Sequence, residues 1–530
     1  MDFYQLLHRH TETAPQRAAF HDLDRSINYQ ELKLEVDRLA ALMHANGARR
    51  GQRIALWMPN CIEWLATFLA SAKLGMTVIS VNTRFKEHEV GQLISRGACS
   101  WLAMWPEFKG LPFVDIVGGI EPALLAGLKG ILGVGDCRHL KATLPHIYLV
   151  SYSSQPPADH SIDAWGKETD GALVYTTSGT TSAPKLVLHR QAGLIAHGDL
   201  AGNAYGVKPE SVILLAAPMC GAFGFSTAMT GFVKGATLVS LPVFNAAQTV
   251  EQIRTYGVTH TYANNEMIDL LLREVPEQKN PFPSLQYLGF ASFAPSMDDL
   301  PERALAAGLP IAGLYGSSEL QALVAGHRLT EDWKLRRLAG GTLCAPEGRV
   351  RAVDTQTGVV LAHGEVGHIE IKAPSIMSEY LDNPQATREA ISSDGYFRTG
   401  DFGYTISPQA FIFQGRSGEH LRLGGFLVNP REIEAFIEKL EGVKAVQVVG
   451  SEWLGKLVVV AFVIKDASST LTEDEVVRAC QQDMAKFKVP ARVTFVQEFP
   501  MVQSANSNKV QRHVLKQMAK ELLQESSAVP

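Results

Sequence analysis

The feature that most constrains this chain is an alternation of β-branched runs with apolar runs at helical spacing. RIALWMPNCIEWLATFLASAKLGMTVISVN, residues 53–82, reads as strand, turn, helix, strand. Ile54–Trp57 are strand-like, Asn60 can cap a helix start, and Ile62, Leu65, Phe68, Leu69 and Ala72 recur with a helical period. Gly75 stops that helix before the run Thr77–Val81. The pattern returns in GATLVSLPVFNAAQTVEQIRTYGVTHTYA, residues 235–263, with a helix expected near Ala246–Tyr256 between two strands. Strands separated by helices imply parallel sheets covered by helices. At 530 residues the chain is too long for one core, so more than one domain is expected.

Past residue 415 the character changes. Glycines and charges crowd GRSGEHLRLGGF, residues 415–426. A smaller unit follows: a helix at PREIEAFIEKL, strands in VKAVQVVG and KLVVVAFVIK, a helix at EDEVVRACQQDMAKF and a strand in RVTFVQEF. The fold class expected is α/β: a large N-terminal domain, 1–415, of helix-covered sheets with subdomains, and a small α+β C-terminal domain, 416–530. The joint is placed near Arg416 to Glu419.

Composition excludes several classes. A net charge of −5 argues against a general nucleic-acid surface, which needs a clustered basic excess. The opening MDFYQLLHRHTETAPQ lacks a basic segment followed by an apolar core, so no secretory leader is expected. No apolar run approaches the roughly 20 residues of a membrane helix. Six cysteines, Cys61, Cys99, Cys137, Cys220, Cys344 and Cys480, are scattered singly, which suits reduced, buried thiols in the cytosol.

The chemistry is carried by five short strings. YTTSGTTSAPKLVLH, residues 175–189, offers backbone N–H groups, hydroxyls and a lysine, a donor array suited to phosphate. It is not the G-x-x-x-x-G-K-[ST] loop, because Lys185 is six positions after Gly179 and is followed by Leu186. Taken alone it reads equally as a solvent-exposed loop. YGSSE (315–319) follows the apolar IAGL, and YFRTGD (396–401) reads as a turn with a carboxylate at its tip. GRSGEHLRLGGFLVNPREIE and NSNKVQRHVLK, with Lys509, complete the set. Singly, Glu319, Asp401, Arg416 and Lys509 each have a plain surface reading; their joint order does not.

Together these strings resemble the adenylate-forming superfamily of acyl-CoA synthetases, adenylation domains and firefly luciferase, and GHIEIKAPSIMSEYL (367–381) extends the likeness. The resemblance implies that Thr177, Ser178, Gly179, Thr180, Thr181 and Lys185 wrap the β- and γ-phosphates of ATP. Adenine then lies against GFASFAP (289–295), including Ser292, and against Gly313, Leu314 and Tyr315. Ser318 contacts the α-phosphate and Glu319 holds Mg²⁺. Asp401 and Arg416 take the ribose. Lys509, on a mobile C-terminal domain, bridges the carboxylate and the α-phosphate. The hinge falls at Gly418, where glycine tolerates a large dihedral change. Gly424 and Gly425 fit either an approach to the pantetheine arm or a tight turn between strands.

Several positions depart from the family pattern. Ser182 and Leu186 replace glycines of the phosphate loop, and Asn508 stands before Lys509. In PMCGAFG (218–224), Gly221 replaces a histidine or aromatic residue and implies extra room. Asn264, Asn265 and Glu266 read either as polar groups for a polar or aromatic acid, or as a helix start with Asn265 as cap and Glu266 on the dipole.

The expected activity is an ATP-dependent, AMP-forming acyl-CoA ligase of fatty acid or aromatic acid metabolism, cytoplasmic, using ATP, Mg²⁺ and coenzyme A. Its partners are a small-molecule carboxylic acid, ATP and CoA, with no nucleic acid; a homodimer is the candidate assembly. The sequence shows no carrier or condensation domain by residue 530, so a carrier-protein phosphopantetheine ranks behind CoA as acceptor. The rivals are a non-catalytic nucleotide-binding relative and a luciferase-like oxygenase.

Overall fold

The segment that opened the sequence reading folds as strand Arg53–Trp57, helix Ile62–Leu74 and strand Thr77–Ser80. The two strands pair in parallel, with Ile54 opposite Val78. The helix stops where Gly75 turns to φ 70°, a left-handed conformation that suits a residue without Cβ. Its start corrects the sequence reading. Cys61 is the N-cap, without a side-chain cap bond. Asn60 instead donates to Ala217 O at 3.0 Å and accepts from the Met219 N–H at 2.6 Å. A buried amide takes whatever partners the tertiary fold offers, and here they come from the distant PMCG segment.

The structure, a computed structural model, describes every residue except 24, 159–161, 178–184, 277–278, 292–298, 355, 417–420, 424–425, 429, 454–455, 485–487, 504–507 and 528–530. At 177, 422, 426–427, 456, 483, 502–503, 508–509 and 525–527 it describes the backbone alone. The chain forms two compact units. One comprises Met1–Val350, Glu370–Thr399 and Ile406–Ile412; the other comprises Arg351–Ile369, Gly400–Thr405 and Phe413–Pro530.

Two sheets organise the first unit. One runs in the order Glu379–Tyr380, Lys185–Arg190, Gly171–Thr177, Thr77–Ser80, Arg53–Trp57, Trp101–Met104, Gly130–Gly133, Tyr148–Ser151. It is parallel from Gly171–Thr177 to Tyr148–Ser151 and antiparallel at its first two pairings. The other is parallel through Ala18–Asp22, Thr237–Ser240, Val212–Leu215, His260–Asn264, Tyr287–Ala291 and Ile311–Ser317, then antiparallel through Gln321–Gly326 and Gly340–Leu343. Helix Ile62–Leu74 buries every residue but Glu63 and touches strands of both sheets, so it lies between them. A helix that is apolar all round has to be covered all round. Helix Gln191–Tyr205 bridges the sheets in the same way, touching Gly171–Thr177, Lys185–Arg190 and Gln321–Gly326.

The second unit holds the α+β elements expected: helix Pro430–Ile437, antiparallel strands Val443–Trp453 and Lys456–Lys465, helix Glu473–Asp483 and strand Arg492–Phe495 parallel to Lys456–Lys465. Helix Arg512–Ser527 closes it. Ile433, Ile437, Val448, Ala461 and Val493 form its core. Among the described residues no helix is long and apolar enough to cross a membrane.

Candidate active site

The hydroxyl loop joins two antiparallel strands. Gly171–Thr177 and Lys185–Arg190 pair, and Thr177 stands opposite Lys185 where the ladder ends. Ser178, Gly179, Thr180, Thr181 and Ser182 lie outside the described residues, as does the Thr177 side chain. Lys185 opens the next strand, and its Nζ lies 4.5 Å from the ring centre of Tyr380. Register puts them together: Tyr380 pairs opposite Val187, two residues along from Lys185 and therefore on the same face.

Glu319 occupies the turn between antiparallel strands Ile311–Ser317 and Gln321–Gly326. The strand continues through YGS, beyond the IAGL segment that the sequence reading took as its end. Several contacts hold the turn. The Tyr380 hydroxyl donates to Glu319 Oε1 at 2.9 Å, and the Met377 N–H donates to Glu319 O at 2.6 Å. His189 Nε2–H donates to Ser318 O at 2.8 Å, and His197 Nε2–H donates to Ala322 O at 2.7 Å. A carbonyl only accepts, so these bonds fix which ring nitrogen carries the proton. Burial lowers both imidazoles to a pKa of about 4 against their carbonyl bonds, so both are neutral near pH 7. Buried Gln321 donates to Gly193 O at 3.2 Å. It takes φ 60° and Leu323 takes φ 69°, left-handed values that cost a non-glycine residue energy and persist where surroundings enforce them.

Upstream on the same strand, Leu314 and Tyr315 are buried. Tyr315 meets Phe411 edge-on at 5.0 Å. A Cβ at Gly313 would come within 1.9 Å of Leu338 O, so only glycine fits there. Ser292 lies outside the described residues.

In the second unit, Asp401 and Arg416 come together as an ion pair, Arg416 Nε to Asp401 Oδ1 at 3.3 Å. Asp401 is 4% exposed. The turn expected at YFRTGD is absent. Asp401 lies inside strand Phe397–Ser407, where Gly400 at φ 72° turns the backbone without ending the strand. Lys509 belongs to strand Asn508–Val510, which pairs antiparallel with Met501–Gln503, Lys509 opposite Val502. Three residues on, Arg512 donates to Glu434 Oε1 at 2.8 Å. Glu434 is wholly buried and also accepts from Arg431 at 2.9 Å and from the Val448 N–H at 2.8 Å. Gly418, Gly424 and Gly425 lie outside the described residues.

The AMP-binding enzyme family matches residues 7–381, and its C-terminal domain matches residues 432–506. The chain belongs to the AMP-binding enzymes. The long-chain-fatty-acid–CoA ligase FadD13 of Mycobacterium tuberculosis is 27% identical over 519 residues, 93% of this chain and 94% of that protein. The crotonobetaine/carnitine–CoA ligase of Escherichia coli is 28% identical over 490 residues, 89% and 90% of the two chains. ATP-bound MatB from Rhodopseudomonas palustris shares the fold with a TM-score of 0.83 at 24% identity, covering 99% of this chain and 100% of that one. The o-succinylbenzoate coenzyme A synthetase MenE from Bacillus subtilis, in complex with AMP, has a TM-score of 0.81 at 21% identity over 97% and 98%.

In this AMP-binding enzyme the two segments that depart from the family pattern are also placed. Gly221 is the N-cap of helix Ala222–Lys234. The helix cap expected at Asn265 is Asn264, whose side chain accepts from the Met267 N–H, while Asn265 is the first helical residue. The extended φ/ψ of Asn264 lets its side chain turn back onto the first helical turn. The sequence reading missed Tyr380, His189 and His197, although two of them fall inside strings it quoted.

Proposed function

We propose that this chain activates a carboxylic acid, with Lys185 and Glu319 of the first unit and Asp401, Arg416 and Lys509 of the second carrying the chemistry. It is an ATP-dependent, AMP-forming acid–thiol ligase: the acid becomes an acyl-adenylate with release of pyrophosphate, and the acyl group passes to coenzyme A. The observation that carries this reading is the joining of a lysine ammonium and a carboxylate through one buried tyrosine, within the family's fold. Curated relatives across most of the chain are CoA ligases, which favours CoA over a carrier protein as acceptor.

The roles follow from charge. Lys185 and the donors of 177–181 take the β- and γ-phosphates, and Ser318 takes the α-phosphate. Adenine stacks near Ser292 and Gly313–Tyr315. Asp401 accepts from the ribose hydroxyls, with Arg416 as its neighbour. Lys509, borne by a C-terminal domain beginning at residue 416, supplies positive charge where the acid attacks phosphorus. Gly424 and Gly425 line the approach of the thiol. Glu319 suits a hard cation, because Oε1 accepts from Tyr380 while Oε2 has no partner among the described residues. When bound, Mg²⁺ would offset phosphate charge as pyrophosphate leaves. The enzyme would work in the cytosol, where its six buried thiols stay reduced.

A panel of acids, each with ATP and with or without CoA, tests the reading by pyrophosphate release and hydroxylamine trapping. Acid-dependent pyrophosphate release and a thioester that forms only with CoA are expected. Trapped adenylate without CoA turnover would assign a carrier protein as acceptor. No pyrophosphate with any acid would leave a non-catalytic nucleotide binder.

A further inference from the structure

Tyr380 touches both Lys185 and Glu319, and its position is over-determined. Its strand pairs with Lys185–Arg190, its N–H donates to Thr387 Oγ1 at 3.0 Å, and the next residue's N–H donates to Leu186 O at 2.7 Å. The side chain is 4% exposed. A carboxylate oxygen accepts, so the phenol hydroxyl is the donor in its bond to Glu319 Oε1.

We propose that Tyr380 is a positioning residue for the metal-binding carboxylate: its hydroxyl takes Glu319 Oε1, turns Oε2 toward the cation, and its ring seats the Lys185 ammonium beside the phosphates. The inference rests on the reading of Glu319 and Lys185 given above. A charged partner at either point would neutralise the group it held. A phenol fixes the carboxylate's rotamer without cancelling its charge, and an aromatic face attracts an ammonium without binding up its protons. Tyrosine does both from one position; phenylalanine does only the second.

The test measures ATP binding by calorimetry, in EDTA and across a Mg²⁺ titration, for wild type, Tyr380→Phe, Tyr380→Leu, Glu319→Gln and the double variant Glu319→Gln/Tyr380→Phe. Tyr380→Phe, which keeps the ring and its packing, should bind metal-free ATP like wild type. It should need about tenfold more Mg²⁺ for half-saturation, the scale of one lost hydrogen bond to a charged group. Tyr380→Leu should also weaken metal-free ATP binding several-fold, about the loss of a cation–π seat. In the Glu319→Gln background, Tyr380→Phe should add nothing, because its effect passes through that carboxylate. An unchanged Mg²⁺ requirement in Tyr380→Phe, or an additive double variant, overturns the proposal while the reading of Glu319 stands. A wild type whose ATP affinity ignores Mg²⁺ overturns both.

Discussion

The turn that carries Glu319 and the ribbon that carries Lys509 are held by opposite chemistry. Among the described residues the tethers around Glu319 are neutral: two uncharged imidazoles, a phenol, the Gln321 amide and a backbone N–H. Beside Lys509 the anchor is a buried ion cluster, Glu434 with Arg431 and Arg512. Neutral donors hold the Glu319 turn without offsetting its carboxylate. In the second unit the Glu434 carboxylate holds Arg431 and Arg512, the latter three residues on from Lys509.

The comparison can be broken at either end. The largest effect is expected at Glu434→Ala, which removes the buried carboxylate that Arg431 and Arg512 share. Breaking a buried ion pair from one side costs about 3–5 kcal/mol, so the second unit should lose most of its cooperative unfolding in denaturant melts. An unchanged melt would show that the cluster anchors nothing. Lys509→Ala should lose on the order of 10²–10³ in adenylation rate with its melting temperature unchanged, as the proposed role of that lysine at phosphorus requires. Thioester formation from pre-made acyl-adenylate should persist.

Acid sharpens the contrast on the other side. His197 has a folded pKa of about 4 against 6.5 unperturbed. Its stabilisation is complete above pH 6.5 and is lost as pH falls toward 4, since the unfolded imidazole binds its proton first. His197→Gln should therefore flatten the fall in unfolding free energy between pH 7 and 5 by about 2 kcal/mol. The smallest effect is expected at His189. His189→Ala should weaken adenylation about tenfold through the Glu319 turn, and His189→Gln, which can still donate to Ser318 O, should recover most of it. Equal losses in both variants would mean that the imidazole's shape, not its hydrogen bond, supports the turn.

Local pattern carried the sequence reading where local energy decides. Residues 53–80 alternate as they do because helix period, Gly75 and β-branched runs all act within a few residues. The five strings pointed to Lys185, Glu319, Asp401, Arg416 and Lys509 as candidates, since short spacing survives in one dimension. Partnerships across the chain did not show. Asn60 looked like a cap, yet its partners are at 217 and 219; Tyr380 and His189 meet a turn that is 61 and 129 residues away. Asp401 looked like a turn tip because glycine and aspartate favour turns, but sheet pairing carries the strand through them.

The most direct measurement is the acid-dependent exchange of labelled pyrophosphate into ATP without coenzyme A, followed by nucleotide analysis once the thiol is added. Exchange with at least one acid, then stoichiometric AMP and thioester, is the predicted result. No exchange with any acid, or ADP and phosphate as the products, would contradict it.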